Sequence, residues 1–132
     1  MVVDEIAAFL SAQGLGTLNV DMWLHVTPDE PTESLTIYEY AGDEPEYIQD
    51  DVMVDTENPR IQIAVRSDQP QVARLRAEEV YQALMKIRND ILNGTRILRC
   101  VPVDNPALLG RDESGRFLVT TNFRVKKELT SV

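Results

Sequence analysis

Alternation and helical spacing divide most of this chain into short periodic segments. Val3, Ile6, Ala7 and Leu10 recur at the i, i+3, i+4, i+7 spacing of one helical stripe, with Asp4 and Glu5 in the first turn and Gly14 and Gly16 beyond the end. That spacing predicts a short amphipathic helix over residues 3–13. Leu18, Val20, Met22, Leu24 and Val26 alternate with Asn19, Asp21, Trp23 and His25, which predicts a strand buried on one side. Residues 34–40 and 59–66 read as two further strands, the second with Ile61, Ile63 and Val65 facing a core. Val72, Ala73, Val80, Ala83, Leu84, Ile87 and Ile91 fall within about 120° of one another at 100° per residue. This predicts one long helix over residues 70–92, closed by Asn93-Gly94. Residues 97–103 read as a fourth strand, broken at Pro102. A polar turn, Asp112-Glu113-Ser114-Gly115, then leads into a long final strand. Phe117, Val119, Thr121, Phe123 and Val125 occupy one face of that strand, and Arg116, Leu118, Thr120, Asn122, Arg124 and Lys126 the other. The sum is an α+β domain: a largely antiparallel mixed sheet of four to five strands with one long and one short helix packed on it.

Between the second and third strands, residues 41–58 carry Asp43, Glu44, Glu46, Asp50, Asp51, Asp55 and Glu57, with Val52-Met53-Val54 reading as a short strand inside them. A long acidic loop is expected there, either solvated or ordered by a partner. Its carboxylates lack the spacing of a calcium loop.

Charge sharpens this picture. The net charge is −9 over 132 residues. Residues 1–58 hold 14 Asp/Glu and no Lys or Arg, whereas residues 59–132 hold all 13 Lys/Arg and 8 Asp/Glu. Such a two-pole molecule favours oriented or head-to-tail contacts, because opposite poles attract and like poles repel. The candidate subunit or partner contacts are Arg60, Arg66, Arg76, Arg111, Asp112 and Arg116 on the basic side, and Asp50 and Asp51 in the acidic loop.

Catalytic signatures are missing from the sequence. There is no Gly-rich phosphate loop, no Gly-x-Ser-x-Gly and no His-Glu-x-x-His, and Gly14-Leu15-Gly16 follows a helix instead of a strand. The single histidine, His25, and the single cysteine, Cys100, stand in no ligand or nucleophile constellation. No catalytic, cofactor-binding or metal residue is assigned, and no cofactor is expected. No window reaches the ~18 apolar residues of a membrane helix, and the N-terminus lacks an export signal.

Three segments together resemble a known family: Asn58 to Arg66, the helix carrying Ala77-Glu78-Glu79-Val80-Tyr81-Gln82-Ala83-Leu84, and Gly110 to Phe117 leading into Asn122-Phe123-Arg124-Val125. The chain is similar there, and roughly over residues 3–127, to the tail-terminator or tail-completion proteins of long-tailed bacteriophages, a group also labelled minor capsid proteins. The resemblance implies one tail-terminator-like domain over residues 1–132, with no catalysis. It also implies a homo-oligomeric ring, typically a hexamer, that caps the tail tube and joins it to the head connector or stopper. DNA would only pass through the lumen, and the protein would sit in the virion at the head–tail interface after assembly in the host cytoplasm. Two alternatives stay open: another connector component such as an adaptor or stopper, and an acidic DNA mimic that inhibits a nucleic-acid-binding enzyme.

Overall fold

The structure, a computed structural model, describes residues 2–47 and 54–128, with side chains over 2–40 and 57–128. In chain order the elements are α1 (Val2–Ala12), β1 (Met22–Leu24), β2 (Ser34–Tyr47), β3 (Val54–Ser67), α2 (Pro70–Met85), β4 (Arg88–Leu92), β5 (Thr95–Pro102), β6 (Ala107–Arg111) and β7 (Phe117–Glu128). One mixed sheet contains all seven strands in the order β1-β2-β3-β7-β5-β4, with β6 also on β7. The expected α+β class holds, but the sheet is larger than the expected four to five strands. It also includes one parallel pair, β1 with β2.

The last strand of the chain is central in space. Along one side β7 pairs with β3, from Ser67↔Phe117 to Thr56↔Glu128. Its other side is shared: β6 takes Phe117 to Thr120, and β5 takes Phe123 to Lys127. Alternation in β7 comes out as read. Val119, Thr121, Phe123 and Val125 are buried, while Arg124 is exposed.

Both helices cover one face of the sheet. Ile61, Ile63 and Val65 of β3 and Leu35 and Ile37 of β2 meet Ala73, Ala77, Val80 and Leu84 of α2 and Ile6 and Leu10 of α1 in a single core. Tyr81 of α2 stacks at a tilt on Phe123, ring centroids 5.8 Å apart. Helix α1 ends as its glycine predicts: Gly14 takes φ +75°, its N–H donates to Ser11 O, and Leu15 N–H donates to Leu10 O. The two chain ends are tied by an ion pair inside the core. Lys127 Nζ of β7 donates to Glu5 Oε1 of α1 at 2.7 Å and to Oε2 at 3.4 Å, and both side chains are at most 10% exposed.

Four sequence expectations change. The strand expected over 18–26 shrinks to three residues, because Asn19 and His25 adopt φ +65° and +67° and bend the chain at either side. Thr17 O accepts N–H bonds from Val20, Asp21 and Met22, so only Met22 enters the core, and Leu18, Val20 and Val26 stay exposed. The long helix ends at Met85 instead of 92. Asn93 and Gly94, with φ +50° and +83°, form a two-residue turn between the paired Leu92 and Thr95, so residues 88–92 become a strand. Ile87 still fills the core, but Ile91 is 63% exposed. The acidic segment is largely hairpin: β2 and β3 pair through Asp43↔Asn58, Glu46↔Thr56 and Tyr47↔Val54, with register shifts along the way. Finally, residues 107–111 form β6, where a loop was expected.

Candidate assembly interface

One face of the sheet lacks a helical cover. Its side chains run in rows across β2, β3 and β7: Ser34, Arg66 and Leu118; Thr36, Ala64 and Thr120; Tyr38, Gln62 and Asn122; Tyr40, Arg60 and Arg124. Strand geometry dictates this set, since residues of one parity share a side. The face is polar and hollowed. A depression of about 270 Å³ lies between Thr27 and Leu109, over Ala64, Leu118 and Thr120. A shallower one of about 540 Å³ lies between Tyr40 and Val103, and Tyr38 and Gln62 line both. Burial is the main influence raising the Tyr40 phenol above its ordinary value, partly offset by Arg60.

The end of this face is closed by the connection from β1 to β2, which contains a cis Glu30–Pro31 bond. Arg66 lies beneath it, 6% exposed, and donates to Pro28 O and Pro31 O at 2.7 Å, Thr32 O at 3.2 Å and Asp29 O at 3.4 Å. Desolvation lowers its pKa, and neighbouring Arg116 adds to the effect. Arg116 holds the same connection from β7's side, bonding Asp29 O and Asp29 Oδ1 while its Nε donates to Asp112 Oδ2 at 2.8 Å. Burial disfavours the Arg116 charge, but the Asp112 and Asp29 carboxylates outweigh it and raise the pKa. Asp112 is held below the usual carboxylate range, first by the Arg116 backbone N–H and then by the Arg116 guanidinium and the Ser114 N–H. This is the Asp-Glu-Ser-Gly turn read from sequence, with Gly115 at φ +80°.

Three of the sequence-selected residues, Arg66, Asp112 and Arg116, therefore converge on one loop of their own chain. Arg111, exposed, stands beside them with its guanidinium 4.8 Å from the Phe117 ring centre. Arg60 is six positions along β3 from Arg66, about 20 Å away. Arg76 sits on α2, on the helical side, and its guanidinium meets Asp21 Oδ2 at 3.2 Å and Leu15 O at 3.3 Å. Asp50 and Asp51 lie outside the described residues. A groove of about 550 Å³ between α1 and α2 completes the relief, lined by Phe9, Leu15 and Leu75 with Glu78, Glu79 and Lys86.

Nothing in this relief gathers reactive groups. Cys100 is buried and its thiol pushed up to about 12 by desolvation, so it is no nucleophile at neutral pH. His25 is exposed at a bend. Among the described residues no three His, Cys, Asp or Glu side chains converge as a metal site.

Two surface features went unselected in the sequence. One is the Pro28–Thr32 strap, whose signal was the proline pair at 28 and 31. The other is β6, where Leu108 and Leu109 are 52% and 69% exposed. The Ala-Leu-Leu run before a tight polar turn was its signal.

Comparison with known proteins adds the remaining observations. A family profile described as bacteriophage tail terminator protein matches residues 9–129. A search of curated proteins finds no match. Among solved structures, a chain from the virion of a native gene transfer agent particle superposes with a TM-score of 0.58 at 15% identity, over 93% of this chain and 86% of that one. That likeness is one of fold.

Proposed function

Because the chain belongs to the bacteriophage tail terminator family, and is thus a structural protein of the phage tail, we propose that it forms a closed homo-oligomeric ring, typically six-fold, on the end of the tail tube. The family match over residues 9–129 carries this reading, and the two-helix, seven-stranded fold is consistent with it. The ring would join the finished tube to the head connector or stopper, in the virion, after assembly in the host cytoplasm. It is no enzyme and takes no cofactor on this reading. DNA would pass through the lumen without being bound, since acidic walls repel phosphates. Arg60, Arg111 and, in the acidic segment 41–58, Asp50 and Asp51 are the proposed contacts to neighbouring subunits or partners. Arg66, Arg76, Asp112 and Arg116 support those surfaces from within their own chain.

The test is electron microscopy of purified tail tubes mixed with the protein. Expected is a density at one end of each tube and arrest of further tube growth. Binding along tube walls, or no binding, would refute the terminator role. Capture by a head connector in the absence of tubes would favour an adaptor or stopper, and tight salt-sensitive inhibition of a nuclease a DNA mimic.

A further inference from the structure

The smaller hollow on the helix-free face has a mixed lining. Ala64, Leu118 and Leu109 give it aliphatic surface, while Thr27, Ser34 and Tyr38 bring hydroxyls and Gln62 an amide. Arg66 and Asp112 also border it, but their charges are answered inside the chain. Arg66 donates to four strap carbonyls, and Asp112 accepts from Arg116 Nε at 2.8 Å. A charged guest would lose its water there without gaining a counter-ion.

Two hydroxyls retain hydrogen-bonding capacity. Ser34 is fully buried, and its Oγ has no hydrogen-bond partner among the described residues. A buried polar atom in that state costs free energy, which an incoming partner offsets. Thr27 Oγ1 lies 2.6 Å from Thr36 Oγ1 and 2.7 Å from Tyr38 OH. Its single proton serves one of them and the other donates to it, so one end of the chain of three hydroxyls keeps a proton to give. Thr36 is fully buried with no second side-chain partner, whereas Tyr38 is half-buried and lines the hollow. The remaining proton therefore belongs at Tyr38. Ser34 and Tyr38 together offer donors to an acceptor oxygen.

The hollow measures about 270 Å³, room for roughly nine non-hydrogen atoms at ~30 Å³ per water in the liquid. It is a depression in a surface, so it suits a side chain projecting from a docked partner better than a free small molecule, which needs burial on most sides. The shallower depression beside it shares Tyr38 and Gln62 and leaves that partner space to lie along the sheet.

We infer that this hollow receives one side chain of the tail tube's end, an uncharged one with an apolar body and an oxygen at its tip, as in tyrosine. The inference rests on the terminator reading above, on which the tube end is the first surface this protein meets. A second copy does not supply the group. Among the side chains described, Tyr38 is part of the lining, Tyr40 stands on the same face, and Tyr81 is stacked on Phe123.

The hollow is tested with p-cresol, the tyrosine side chain without its backbone, titrated into the full-length protein and followed by amide shifts at Ala64, Leu118 and Thr120. Expected is saturable binding in the millimolar range. Toluene, which lacks the oxygen, should bind ~5-fold more weakly, and so should p-cresol to Ser34→Ala. Ser34→Ala should melt no lower than the parent, because it deletes an unpartnered atom; a clear loss of stability overturns the assignment of Ser34 to the hollow. Tube capping is then read by electron microscopy. Ala64→Leu, which fills the hollow from a half-buried position, should cap at least ~10-fold less well while its circular dichroism matches the parent, and Ser34→Ala, which keeps the shape, ~5-fold less well. No shifts at the three amides, equal binding of toluene, or both variants capping like the parent overturns the inference and leaves the terminator reading standing. Variants that cap tubes normally but fail to recruit the head connector overturn the tube as the occupant's source in favour of the connector. A parent that binds p-cresol yet never caps tubes overturns the terminator reading, and the tube contact with it.

Discussion

Replacing Lys127 by Met tests whether the Glu5–Lys127 pair closes the core. The two charges are 2.7 Å apart at Nζ–Oε1 with side chains 10% and 5% exposed. At an effective dielectric constant of ~20 their attraction is on the order of 6 kcal/mol. Withdrawing both from water costs several kcal/mol per ion, so the intact pair contributes little net stability. Removing only the cation leaves Glu5 buried without its counter-charge, and the expected loss is ~3–5 kcal/mol. Methionine keeps most of the apolar stem, so packing is nearly constant. A domain of this size has ~5–15 kcal/mol in all. With a urea dependence of ~2 kcal/mol per molar, the unfolding midpoint should fall by about 2 M. The partner variant Glu5→Leu/Lys127→Met should return to within ~1 kcal/mol of the parent, since an apolar pair replaces a desolvated ionic one. Equilibrium urea unfolding of the parent and both variants measures these expectations. A Lys127→Met loss under ~1 kcal/mol, or a double variant no better than the single one, would refute the reasoning.

Arg66→Met removes the donor shared by Pro28, Asp29, Pro31 and Thr32 carbonyls and should cost about 2–4 kcal/mol, with protease cleavage appearing first between residues 27 and 33. For the same reason Arg66→Glu is no clean probe of assembly, whereas Arg60→Glu remains one. Asp112 has a depressed folded pKa, so its contribution is present above its unfolded value near ~4 and is lost as pH falls through the folded one. Amide protection factors at Ser114 and Arg116 should therefore fall below pH ~4 in the parent and be low at every pH in Asp112→Ala. Cys100 should react with a thiol reagent only as fast as the protein unfolds, given a thiol at about 12 and full burial, and fast labelling at pH 7 in the native state would contradict the fold there.

Where one side of an element is buried and the other wet, its pattern was plain. The alternation of Phe117 to Val125 and the stripe Val3-Ile6-Ala7-Leu10 both point as written. The failures have local causes. Leu18 to Val26 alternates, yet asparagine and histidine in the left-handed region break it, and periodicity carries no information on φ. Ile87 and Ile91 extend the helical spacing by chance, and the Asn93-Gly94 pair, which suits a helix stop as well as a hairpin, was decisive for the hairpin. The parallel pairing of β1 and the division of β7 between β5 and β6 are long-range facts that no local pattern encodes. As for the interface candidates, sequence showed which residues are charged but not that Arg66, Asp112 and Arg116 turn inward on one loop. The two charge poles were legible in the chain, but not that the fold pairs them within one subunit, through Glu5–Lys127, Asp21–Arg76 and Asp29–Arg116.

The central position of β7 bears on how the protein is made. Translation delivers this strand after the other described elements, and until it emerges β3 and β5 each lack one of their two neighbours and β6 its only one among the described residues. The nascent chain can form the β2–β3 hairpin and both helices early, but the core cannot close before residues 117–128 leave the ribosome. A chain released early lacks Phe123, Val125 and the lysine that answers Glu5, so it stays open and falls to proteases. Folding is therefore conditional on residues 117–128, and a copy cut short before them offers proteases an open core.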